Sequence, residues 1–282
     1  MKTKRLILAA ALVVMPFLAK AGDDNFGTWA EIGIQKDLSL KWDMGLETEY
    51  RSQERDRWSI GANVGFKPNK YLKFGAAYNF LYSHRPEERK EKYKDDIELD
   101  ENWNGFNLNE DYWSPRHRFS IDATGTVKLW KWLRISVRER YQFTHRATKH
   151  YTQEKNRFAK SYDANDNLTY VLKPGYPEYE DETKPCESTN VLRSRLKLSY
   201  DKKKAKIQPF VSVEFHNSVA QGDKMNLQKI RSAVGMDYKI NKQNEISIAY
   251  LLNCNIHDDG EDGYERLHER LHVFNIGYNL KF

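Results

Sequence analysis

Long apolar runs are missing beyond residue 21. No stretch approaches the roughly 20 residues that a membrane-spanning helix needs, the mean hydropathy is -0.83 and 30% of the residues are charged. A helical membrane protein is thereby excluded. Cysteine is nearly absent too: Cys186 and Cys254 stand alone, neither has a neighbour at metal-ligand spacing, and no zinc site, other metal or cofactor is expected. There is no internal repeat, no low-complexity linker and no nucleophile motif of the G-x-S-x-G kind. A real excess of positive charge is also lacking. The formal +6 includes Lys2, Lys4, Arg5 and Lys20, and residues 1–21 hold no acid. Removing those four from the 46 basic residues leaves 42 against 40 acidic ones, or +2. With no basic stripe or recognisable module beside it, nucleic acid is not an expected partner.

What is present begins with Lys2, Lys4 and Arg5, an apolar run from Leu6 to Leu18, and Ala19-Lys20-Ala21. That is the layout of a secretory signal peptide cleaved after Ala21, too short in its apolar part for a spanning anchor. Residues 1–21 read as the signal and 22–282 as one exported domain.

Within that domain the dominant pattern is alternation with period two, which puts successive side chains on opposite faces of a strand. Leu38, Leu40, Trp42, Met44, Leu46, Thr48 and Tyr50 form one face; Lys41, Asp43, Gly45, Glu47, Glu49 and Arg51 form the other. The pattern recurs from Trp58 to Phe66, Leu72 to Tyr82, Phe119 to Val127, Leu133 to Phe143, Leu192 to Tyr200, Ile207 to Phe215, Ile230 to Ile240, Ile246 to Ile256 and Phe274 to Phe282. Short turns (Pro68-Asn69-Lys70, Leu129-Trp130-Lys131, 201–204, 241–244) alternate with long polar loops at 84–115 and 147–190. Short periplasmic turns, long outer loops and strand runs of this length are features of an outer-membrane barrel rather than a soluble sandwich. The fold expected is all-β: a transmembrane, antiparallel, up-and-down β-barrel of 10 to 12 strands.

Ten strands follow Leu38, and Phe26 to Gln35 reads as one more. Eleven conflicts with the even count of an antiparallel closure. Either the N-terminal segment is accessory to ten strands, or an unrecognised strand makes twelve.

Several motifs resemble a family of Bacteroidetes outer-membrane barrels catalogued as a domain of unknown function (DUF2490). They are Gly27-Thr28-Trp29 with Glu31, Arg57-Trp58-Ser59 leading into Phe66-Lys67-Pro68-Asn69-Lys70-Tyr71-Leu72-Lys73-Phe74-Gly75, Trp113-Ser114-Pro115-Arg116-His117-Arg118, the run Arg138 to His145, and Leu192-Arg193-Ser194-Arg195-Leu196. The resemblance spans nearly the whole mature chain. It implies a barrel in the outer membrane and supplies no activity.

With the apolar parity facing lipid, the lumen receives a charge network that includes Glu47, Glu49, Asp122, Arg138, Arg140, Arg193, Arg195, Glu214 and Asp237. Its first reading is an ion-paired structural core; its second is a narrow pore biased toward anions by its arginines. Glu139 falls on the lipid-facing parity, which calls for a β-bulge to turn it inward or for a functional carboxylate. A barrel-embedded hydrolase using a rim histidine is a rival reading, because His84, His117, His145, His216, His257, His268 and His272 fall near outer strand ends. A surface receptor or adhesin is another, with Tyr93, Trp103, Phe106, Tyr112 and Trp113 as loop anchors. Cys186 and Cys254 either pair in the oxidising compartment or remain separate. The chain is expected to be non-enzymatic, to sit in outer-membrane lipid, and to be inserted by the barrel-assembly machinery, with Phe282 closing the assembly signal.

Overall fold

A computed structural model describes residues 26–52, 56–94, 102–162, 167–202, 205–219, 225–258 and 266–282. The signal peptide and its cleavage point lie outside these residues. The strands are β1 (Phe26–Asp37), β2 (Trp42–Ser52), β3 (Arg57–Phe66), β4 (Leu72–Arg85), β5 (Glu88–Tyr93), β6 (Trp103–Asn109), β7 (Tyr112–Leu129) and β8 (Leu133–Arg146). They continue as β9 (Lys149–Tyr162), β10 (Leu168–Leu172), β11 (Glu178–Lys184), β12 (Glu187–Tyr200), β13 (Ile207–Ser218), β14 (Asn226–Lys239), β15 (Asn244–Asp258) and β16 (Arg266–Lys281).

Two compact units divide the described residues: one within 26–83, 115–145 and 188–282, the other within 84–114 and 146–187. In the first, the described residues close a barrel in the order β1-β16-β15-β14-β13-β12-β8-β7-β4-β3-β2. The barrel therefore has eleven strands, neither ten nor twelve. The count closes because β1 pairs antiparallel with β2 but parallel with β16, from Phe26 opposite His272 to Gln35 opposite Lys281. The seam continues to the C-terminal residue, where Phe282 N–H donates to Gln35 O at 2.9 Å and Asp37 N–H donates to Phe282 O at 3.3 Å. Backbone groups in lipid have no water to pair with, so one parallel seam is far less unfavourable than two open edges.

The outward parity is an apolar belt. Leu46, Ile60, Ile121 and Val234 are each more than half exposed, which a monomer in water does not sustain over such an area and which lipid covers. The inward parity is not uniformly polar. Trp29, Ala249, Leu251 and Val273 form a buried apolar cluster, with Phe210 and Ala233 packed against it. This gives β1 and β13–β16 an apolar lumenal wall beside the charge network expected from strand parity. Glu139 keeps its outward parity and is exposed, its carboxylate accepting a 2.6 Å hydrogen bond from Ser194 Oγ.

The segments read as long loops are structured in the second unit. β6 pairs with β5 on one side and β9 on the other; β9 pairs with β11 and then β10 along its length. At Gly105, φ is +145° and the pairing slips between Lys92 and Tyr93, a β-bulge in which a Cβ would collide with the Asn156 carbonyl. Trp103 packs against Phe158 and edge-on to Tyr170, Arg89 covers the Phe106 ring, and Tyr112 stacks on Tyr151. Trp103, Phe106 and Tyr112 thus hold their own sheet together. A buried ladder runs from Asn107 Nδ2 to Gln153 Oε1 (2.8 Å) and from Gln153 Nε2 to Asn109 Oδ1 (2.7 Å). Both thiols are free: Cys186 is exposed in this unit, and Cys254 is half-buried in the barrel.

Two expectations follow. In a Cys186→Ser, Cys254→Ser background, Gln35→Cys with Lys281→Cys should form a disulfide, since the two are register partners; a gel showing only free thiols would remove β1 from the wall. In the second unit, the Trp103 Nε1–H bond to Glu91, aided by Arg89, holds that exposed carboxyl below its ordinary 4.5. Its contribution is present above the unfolded glutamate's value and is lost as pH falls through the lower folded one. Tryptophan fluorescence should show an acid step below pH 4.5 that Glu91→Gln abolishes.

Candidate functional site in the barrel lumen

Strand parity delivers the charged side chains to the lumen, and barrel closure brings strands distant in sequence within reach of one another. Glu214 on β13 is the centre of the arrangement. It is buried, and its carboxylate accepts from Arg138 of β8 at 2.9 Å and from Arg193 of β12 at 3.0 Å, with Arg231 of β14 at 3.8 Å and His216 at 3.5 Å. One carboxylate therefore serves three guanidinium groups. Arg231 also donates Nε–H to Asn253 at 2.7 Å, and Arg193 donates to Gln142 at 3.2 Å.

Around this centre the other charges pair more simply. Arg140 meets Asp122 at 3.1 Å, and Lys197 meets Asp237 at 3.5 Å, where Ser247 also donates to Asp237 at 2.7 Å. Glu49 accepts from Arg51 at 2.6 Å and from Arg57 at 3.1 Å, while Glu47 accepts from Asn79 at 2.7 Å. Arg195 differs. It is the register partner of Glu214, yet Glu214's oxygens are occupied by other donors, and Arg195 has no hydrogen bond or ion pair among the described residues. Arg118 reaches only the Thr144 hydroxyl, at 3.3 Å.

Many of these groups line a cavity of about 350 Å³, with Asp122 and Asp237 standing behind the lining against Arg140 and Lys197, at the small end of ligand-sized spaces. Eight basic side chains face it (Arg51, Arg118, Arg138, Arg140, Arg193, Arg195, Lys197 and Arg231) against four carboxylates, Glu31, Glu47, Glu49 and Glu214. The lining thus carries a formal surplus of four positive charges. Its apolar side is covered by cations, with Arg51 3.7 Å and Arg231 4.8 Å from the Trp29 ring centroid and Lys197 3.7 Å from that of Phe210. Buried N–H donors without partners include Arg138 Nε and Arg140 Nε. A cavity with surplus guanidinium charge and unsatisfied donors is chemically an acceptor of anions, since those forks match oxyanion geometry.

All nine lumen residues singled out by sequence parity belong to this barrel unit, and the structure joins eight of them to partners within it; Arg195 has none among the described residues. Sequence reasoning missed Trp29, Glu31, Arg57 and Arg118, although extending the strand parity at Ser59 and Asp122 reaches Arg57 and Arg118, and the alternation Ala30, Ile32, Ile34 puts Trp29 and Glu31 on the opposite face. It placed His216 near a strand end, which β13 bears out two residues before Ser218, and did not foresee that the ring contacts Glu214. The other described histidines are dispersed: His117 with Tyr78 at 2.8 Å, His272 with Tyr250 at 2.5 Å, His84 with Asp111 at 3.1 Å, His145 with Ser188 at 3.0 Å and His150 with Thr183 at 2.9 Å. The side chains of His257 and His268 lie outside the described residues. Among the described residues no group of His, Cys, Asp and Glu has metal-site geometry.

The unequal sharing predicts unequal costs. Glu214→Gln leaves three guanidiniums around a neutral amide and should destabilise the barrel by about 3–5 kcal/mol, whereas Arg195→Gln removes a cation without a partner and should cost under about 1 kcal/mol. Urea unfolding in lipid vesicles measures both, and equal losses would contradict the assignment.

Three solved structures are among those similar to this chain, all at low identity. The β domain of the Bordetella autotransporter BrkA is 11% identical over 86% of this chain and 83% of its own, with a TM-score of 0.46. The NanC porin is 10% identical over 91% and 97%, with 0.42. The translocator domain of the autotransporter NalP from Neisseria meningitidis is 11% identical over 84% and 75%, with 0.44. No curated protein sequence matches. The family model described as a protein of unknown function, DUF2490, matches residues 26–264, and the chain belongs to that family.

Proposed function

We propose that the protein is a non-catalytic outer-membrane barrel whose lumen accepts small anions and passes them as a narrow, anion-biased pore. The observation that carries this reading is the formal positive surplus on the cavity lining, in which Arg140 and Lys197 have Asp122 and Asp237 behind them but Arg118 and Arg195 have no carboxylate partner among the described residues, Arg195 lying beside an overcommitted Glu214. A purely structural ion-paired core satisfies its own charges, because a buried cation without a partner is costly. This lining keeps cations in excess where water or a diffusing anion supplies the missing acceptor. In a narrow passage such fixed charges set the sign of the ion that enters. In the same reading the chain is exported by a signal peptide ending at Ala21. The barrel-assembly machinery inserts it, and the aromatic C-terminal strand ending at Phe282 is the recognised element.

Purified full-length protein in planar bilayers tests the pore. Under a potassium chloride gradient, stepwise conductance with a reversal potential on the chloride side is expected. The double variant R118E/R195E, which brings the lining to formal neutrality, should move that potential toward cation selectivity. Complete silence, or a reversal potential indifferent to both substitutions, overturns the reading in favour of a plugged scaffold.

A further inference from the structure

The barrel end that carries the short turns bears an unusual charge. Segments 36–43, 67–73, 128–134, 201–206, 239–245 and 281–282 hold fifteen lysines and arginines against four acids. Connectivity places the described residues of these segments at one end, because they join β1 to β2, β3 to β4, β7 to β8, β12 to β13 and β14 to β15, and β16 ends beside β1. Three of the four acids are already engaged: Asp43 by Lys67 and Lys73 at 2.8 Å each, Asp201 by Lys128 at 3.1 Å and Arg134 at 2.5 Å, Asp37 by Lys281 at 3.7 Å; the fourth is Glu245. Lys131, Lys202, Lys206 and Lys242 are exposed and have no carboxylate partner among the described residues.

Large apolar side chains stand among these lysines. Trp42, Tyr71, Trp130, Trp132 and Phe282 are exposed at the same strand ends, and Trp130 stacks on Trp132 with centroids 5.6 Å apart. Amphipathic rings of this kind settle at the depth of lipid headgroups. The turns are only a few residues long, so their ammonium groups stay within a side-chain length of that depth. Cations held at headgroup level attract anionic phosphodiesters.

We propose that this end is a phospholipid-binding ring that selects anionic headgroups of the periplasmic leaflet. The ring is independent of the lumen, so the two assignments stand or fall separately. Its charge also opposes that of segments 84–114 and 146–187, which hold eighteen acidic and twelve basic residues. The barrel's two kinds of connection thus carry opposite charge, and only the short ones suit an anionic surface.

Full-length protein in phosphatidylcholine vesicles, with trace spin-labelled phosphatidylglycerol or phosphatidylcholine, reads the selectivity as the motionally restricted fraction of each label. The ring predicts a preference for phosphatidylglycerol of roughly threefold or more, falling toward unity in about 1 M salt and in K131Q/K202Q/K206Q/K242Q. R118E/R195E should leave it unchanged. Equal restriction of both labels in the wild type, or an unaltered preference in the lysine variant, overturns the proposal. So does a preference abolished by R118E/R195E, which assigns the lipid phosphate to the lumen. Should the lysine variant fail to give a heat-modifiable band, the salt series on the wild type decides.

Discussion

Inside hydrocarbon every backbone N–H and C=O needs a partner from the protein itself, and the ladder between β1 and β16 is where this chain meets that demand. The two strands are separated by almost the whole sequence, and they run in the same direction. Without their pairing the wall would expose two rows of unsatisfied groups to lipid. Closure also gathers the lumen: Trp29 enters beside Arg51, the apolar cluster on β15 and β16 gains its largest member, and Arg231 gains a ring to cover.

Closure imposes a second constraint, electrostatic rather than hydrogen-bonded. A narrow lumen forces charges from six or more strands into one low-dielectric space, where uneven pairing matters more than it does at a surface. Glu214 draws guanidiniums from three other strands and leaves its own register partner, Arg195, outside the arrangement. The lumen is therefore both held together and left positively charged by the same carboxylate. Apolar lumenal residues add to this by lowering the polarity around it.

Strand parity was legible because lipid and lumen differ so sharply that each strand is amphipathic at period two. Glu47, Asp122, Arg138 and Asp237 were placed inward on that ground alone. Their partners were not legible, since Arg138 and Glu214 are 76 residues apart and their meeting depends on strand neighbours that alternation does not encode. Nor does alternation distinguish a parallel partner from an antiparallel one, and so the odd count looked like a contradiction. The stretch Ala249-Tyr250-Leu251-Leu252 is apolar on both parities, which hid the lumenal wall. The connecting sheet was hidden for the opposite reason: β5 and β11 are polar on both faces and carry no periodic signal.

The parallel seam has a consequence for the wall as a set of staves. β1 runs with β16 and against β2, so β2 runs against β16. The ten strands from β2 to β16 around the barrel already alternate in direction and satisfy the rule for an even, fully antiparallel cylinder. β1 is the N-terminal one of the two staves, β1 and β16, whose withdrawal would leave no parallel contact behind. It is also the stave that carries Trp29 and Glu31 into the cavity. One wall position thus decides both whether the cylinder has an odd or even number of staves and whether its interior holds the Trp29 ring.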